Sequence, residues 1–94
     1  MQPADSPDAL LHATTEGIAR RVTGEKGPAT ALRSVRELID NDEAELALDD
    51  LARVIEYFRI PILRVEYDQL VTAATLLNSM DSLLETGVER LVTA

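Results

Sequence analysis

Apolar residues recur along this chain at helical spacing and hardly anywhere in alternation. Ala44, Ala47, Leu48, Leu51, Val54, Ile55 and Phe58 step by three and one, which predicts a helix from about 44 to 58 with a stripe wide enough to meet two neighbours. Ala31, Leu32, Val35, Leu38 and Ile39 mark one face of a helix over roughly 28–41, with Pro28 suited to its first position. A first helix from about Pro7 to Val22 follows Ser6, a good cap, with a thin stripe of Leu10, Leu11, Ile18 and Val22. Beyond Pro61 the pattern predicts a helix over about 63–78, with Tyr67, Leu70, Val71, Ala74 and Leu77 on one side. A last helix over about 80–92 would present Met80, Leu83, Leu84, Val88 and Leu91.

Breaks fall where the pattern lapses. Thr23-Gly24-Glu25-Lys26-Gly27-Pro28 separates the first two helices, Asp40-Asn41-Asp42 the next two, and Ile60-Pro61 the third from the fourth. No run alternates long enough to make a strand, and the nearest candidate, Arg59–Arg64, contains a proline. The expected architecture is all-α, a small bundle of four to five short helices. It forms one domain over residues 1–94, with 1–6 as a loose tail.

Charge changes the picture more than composition does. The 94 residues carry a formal net charge of −8, which speaks against nucleic-acid binding. Residues 40–58 hold seven acids and the single base Arg53, so most of the net charge lies on one turn and one helix. The candidate partner-binding surface is therefore Asp42, Glu45, Asp49, Asp50, Arg53, Glu56 and Tyr57. The carboxylates would steer a basic protein, and the tyrosine would supply an aromatic contact. The same acids would also serve as a solvated face at a helix N-terminus.

Tests for chemistry return little. Without cysteine there is no thiolate nucleophile, disulfide or thiolate metal site, and His12 is the only histidine. Asp40, Asp42 and Glu45 lack the donor spacing and glycine of a calcium loop, and Gly24-Glu25-Lys26-Gly27 is not a phosphate loop. No enzyme activity, cofactor or metal is expected. The N-terminus lacks the basic residues and apolar run of a signal peptide, and no apolar stretch approaches a membrane span, so a cytoplasmic protein is expected. Met80-Asp81-Ser82-Leu83-Leu84 resembles the Asp-Ser-Leu site of acyl carrier proteins, which implies a remote alternative with Ser82 as the attachment point. In that family, however, the serine opens the second helix.

The centre of the chain carries a longer resemblance. Asp42-Glu43-Ala44-Glu45-Leu46-Ala47-Leu48-Asp49-Asp50-Leu51 is followed by Ile60-Pro61-Ile62 and then Glu66-Tyr67. This order, over roughly residues 29–80, resembles the MafI-type immunity proteins of bacterial polymorphic toxin systems. It departs from them at Leu63, where a capping residue is usual, and at Asp42-Glu43-Ala44, where glycine or tryptophan often stands. The resemblance implies a helical protein that binds and neutralises a cognate toxin C-terminal domain by stoichiometric binding; the sequence leaves monomer and homodimer both open, since Leu83, Leu84, Val88 and Leu91 would serve either to cap the bundle or to pair with a second copy. A generic helical adaptor or interaction module is the alternative.

Overall fold

The computed structural model describes residues 6–93, so most of the expected N-terminal tail lies outside the described residues. Five α-helices appear in order: α1 (Pro7–Arg21), α2 (Lys26–Asp40), α3 (Ala44–Phe58), α4 (Arg64–Leu76) and α5 (Met80–Thr86). The all-α expectation holds. Two-residue strands, β1 (Ile62–Leu63) and β2 (Val92–Thr93), add a parallel pairing in which Ile62 faces Val92 and Leu63 faces Thr93.

The expected helix starts and stops shift for local reasons. Ser6 does cap α1, its Oγ accepting the Ala9 N–H at 3.2 Å. Helix α2 begins at Lys26 rather than Pro28, which sits buried in the first turn, where its missing N–H has no intrahelical partner to lose. The last helix is shorter than its apolar pattern suggests. Gly87 takes the left-handed conformation at φ 67°, α5 stops at Thr86, and Val88–Leu91 form a 3₁₀ turn leading into β2. That strand, and β1 beside the proline, correct the expectation of no strand. Both are too short for alternation to reveal.

Three reversals share one device. Glu43 N–H bonds to Leu38 O (2.9 Å), Ile60 N–H to Ile55 O (3.0 Å) and Ser79 N–H to Ala74 O (2.8 Å). Each bond spans a left-handed residue, respectively Asp42, Arg59 and Asn78. These are the wide bonds that close a helix C-terminus, usually around glycine. Asp and Asn tolerate the conformation, whereas Arg59 holds it against a steric cost of about 1 kcal/mol.

Helix α3 is the hub and packs against all four other helices. Six of the seven residues in its predicted stripe are buried, and Ala52 joins them; Phe58, the seventh, stays partly exposed. Residues with no apolar signature also line the interior. Thr14 and Thr15 are fully buried, their hydroxyls donating to Leu10 O (2.9 Å) and Leu11 O (2.7 Å). The Thr14 hydroxyl also lies 2.8 Å from Gln69 Oε1 on α4.

The most consequential buried polar group is Glu66, only 4% exposed. Arg21 grips both its carboxylate oxygens, Nη1 to Oε2 and Nη2 to Oε1, each at 2.6 Å. Glu66 Oε1 also accepts the Leu63 N–H at 2.9 Å, and Arg21 Nη2 donates to Pro61 O at 3.1 Å. Leu63 has no side-chain oxygen to cap α4, so the glutamate three residues on makes half of a capping box by itself. The Glu66 hydrogen bond makes the Arg21 guanidinium more basic than usual, against the opposing effect of burial. The contribution that follows is present at neutral pH and is lost only as pH rises through the strongly alkaline range.

Gly17 makes room for this pair. A Cβ there would lie 2.7 Å from Glu66 Oε2. Gly17→Ala is expected to lower stability by about 2–4 kcal/mol, read as a fall in the urea midpoint; a change below about 0.5 kcal/mol would show that the carboxylate yields freely. A double-mutant cycle of Arg21→Ala and Glu66→Ala should give a coupling of about 1–3 kcal/mol, limited because Arg21 is partly solvated.

Candidate functional site

The exposed side of α3 follows from its sequence. At about 100° per residue, Glu45, Asp49, Arg53, Glu56, Tyr57 and Asp50 fall within roughly 140° of arc, opposite the buried stripe. Leu46 lies on the same arc and is exposed. Asp42 precedes α3 in the left-handed turn position and is exposed. The structure thus brings all seven candidate residues to one side of the hub helix and the turn before it.

They are not equivalent. Asp49 and Arg53 form an i,i+4 ion pair (Oδ2 to Nε, 3.0 Å), which removes much of the free charge of both. Asp50 is half-buried at the edge of the arc. Glu56 lines a small depression of about 120 Å³ with Arg59, Gly87, Arg90 and Leu91. Asp42, Glu43 and Glu45 at the N-terminal end make no ion pair with any other described residue, and neither does Glu56. Together with Ala44, Leu46 and Leu77 the first three line a shallow depression of about 330 Å³.

Glu37 and Asp40 lead into this acidic end; Asp40 belongs to the acidic run over 40–58, whereas Glu37 lies just outside it. Both lie in the last turn of α2, which holds no basic residue, and its first residue is Lys26. That arrangement opposes the helix dipole, which favours acids at the start and bases at the end. Acids before α3 serve that helix; acids at the end of α2 weaken theirs. Solubility requires charge but not charge at this position.

Tyr57 is 81% exposed and carries the aromatic end of the arc. Its ring meets Phe58 edge to face, with centroids 4.8 Å apart and planes at 86°. Phe58 in turn lies over Gly27, where a Cβ would come within 3.0 Å of the ring. The glycine that the sequence marks as a loop-former therefore leaves space for the aromatic ring supporting Tyr57.

Among the described residues no group of three or more His, Cys, Asp or Glu is placed to hold a metal ion. No helix of the described chain is long and apolar enough to cross a membrane. His12 is exposed on α1, and Ser82 is half-buried in the first turn of α5.

Asp40→Lys should raise stability by about 0.3–1 kcal/mol by reversing an unfavourable charge–dipole contact, measured by urea unfolding at low salt. A loss of stability would show that Asp40 has a structural role. No protein-family model matches the chain, and no curated protein or solved structure matches it either.

Proposed function

We propose that this chain is an immunity protein that acts in the bacterial cytoplasm. It would bind a cognate toxin domain one to one and block a basic active-site cleft with the acidic end of α3. The observation that carries this reading is the group of carboxylates without ion pairs around the α2–α3 turn, extended by Glu37 and Asp40 against the dipole of their own helix. Charges placed at a cost to local stability fit selection for a partner. The order of the acidic turn, Ile60-Pro61-Ile62 and Glu66-Tyr67, similar to that of MafI-type immunity proteins, supports the same reading.

The mechanism is inhibition by occupancy. A concentrated negative potential raises the encounter rate with a basic cleft and rejects acidic surfaces, while exposed Leu46 and Tyr57 offer apolar area to exclude water. A nuclease, whose cleft must be positive to hold phosphates, is the target that fits this potential best.

Expression of the open reading frame immediately upstream in a naive host, with and without this protein, tests the proposal. Killing alone and survival in its presence are expected. The purified pair should associate about tenfold more slowly when salt is raised from low to physiological strength or above. Asp42→Lys with Glu45→Lys should slow association comparably while leaving the fold intact by circular dichroism. Toxicity without rescue, or rescue by a complex indifferent to both salt and charge reversal, would overturn the reading.

A further inference from the structure

We infer that the groove between α1 and α4 binds an extended acidic segment of a partner protein, one in which a carboxylate stands two residues from a branched aliphatic side chain. The inference does not require the immunity reading, and the groove shares no residue with the acidic depression at the start of α3. It holds about 420 Å³, and Arg20, Leu63, Val65 and Gln69 line it together with Arg21 and Glu66.

Arg20 supplies the free charge. Arg21 is fully engaged: Nη1 donates to Gly17 O (3.3 Å) and Glu66, and Nη2 to Pro61 O and Glu66. Glu16, one turn before Arg20, pairs with Arg36 instead, at 2.8 Å. Arg20 is exposed and makes no ion pair among the described residues. In a chain of net charge −8, the groove therefore presents one unmatched guanidinium and no unmatched carboxylate.

The remaining lining sets the form of the ligand. Leu63 and Val65 are exposed aliphatic side chains, which gain by covering one of their own kind. Gln69 Oε1 lies 2.8 Å from the Thr14 hydroxyl, which leaves its amide N–H groups to meet a backbone carbonyl. Strand addition at this side of β1 is closed, because Pro61 O is taken by Arg21 and Leu63 N–H by Glu66. Recognition thus falls to side chains. From Ala13 to Arg20 the α1 wall of the groove runs about 10 Å. In an extended segment, side chains two residues apart lie on one side about 7 Å from each other, which this length accommodates. A single unmatched cation is too little for a phosphate backbone.

Three peptides test the groove: Ac-Glu-Ala-Leu-NH2, Ac-Gln-Ala-Leu-NH2 and Ac-Glu-Ala-Ala-NH2. Amide correlation spectra of the full chain are recorded as each is added to about 10 mM, at about 0.15 M salt so that distant carboxylates are screened. The first should shift amides over 13–21 and 63–69 saturably, with a dissociation constant on the order of 1 mM. Each of the other two should bind about fivefold more weakly or worse. Arg20→Gln, an exposed change that should leave the rest of the spectrum in place, should remove the preference for glutamate over glutamine but keep that for leucine over alanine. No saturable shift over these residues, equal binding of the three peptides, or an unchanged glutamate preference in Arg20→Gln would overturn the inference. None of these outcomes bears on the rescue experiment, so the groove and the immunity reading stand or fall separately.

Discussion

The ion pair between Arg21 and Glu66 ties together the parts of this fold that have least structure of their own. Helix α1 ends at Arg21, β1 is two residues long, and α4 starts on a leucine that cannot cap it. One carboxylate and one guanidinium supply the partners for Leu63 N–H and Pro61 O, which would otherwise be unsatisfied or open to another chain. On its other side β1 pairs with β2, and Thr93 Oγ1 donates to Ile62 O at 3.1 Å. The turn after α3 is thus held from two directions by residues far away in sequence. A buried charge of this kind is costly alone and acceptable only with its partner, so Arg21, Gly17 and Glu66 act as a unit.

A second constraint acts at the helix ends. Asp42, Arg59 and Asn78 each turn the chain through the left-handed region, and the wide hydrogen bonds that follow make the reversals tight. The α2–α3 turn comes to lie beside Leu77, and the first turn of α2 beside Phe58. This is what sorts the charges: acids from the end of α2 and the start of α3 gather at one end, while Arg59 and Arg90 meet at another place on the surface.

Helix α3 serves both the core and the surface. Its buried stripe meets every other helix, and its outer arc carries the candidate docking residues. The two roles do not compete, since the exposed positions make few contacts that folding needs; the Asp49–Arg53 pair is worth only a few tenths of a kcal/mol. A rigid hub with a replaceable outer face allows recognition residues to change without loss of the fold.

The sequence by itself determined the class of fold, the existence and approximate limits of most helices, and the position of the acidic run, because these depend on local periodicity and on charge count. The stripe of α3 and the cap at Ser6 are examples. It did not disclose that Glu66 is buried, that Thr14 and Thr15 line the core, or that the chain forms a β pairing between residues thirty apart. Nor did it show that Glu56 shares a depression with Arg59 and Arg90, whereas no base lines the depression at Glu45. A hydroxyl or carboxylate reads as a surface group until its surroundings are known: Thr15 bonds only within α1, while Thr14 and Glu66 also meet Gln69 and Arg21 on other helices. Glycines carried the same ambiguity: Gly17 and Gly27 read as interruptions, yet in the structure they are places where another side chain approaches too closely for a Cβ. Tertiary structure decided these points because each depends on what a residue touches across the bundle, which no local pattern encodes.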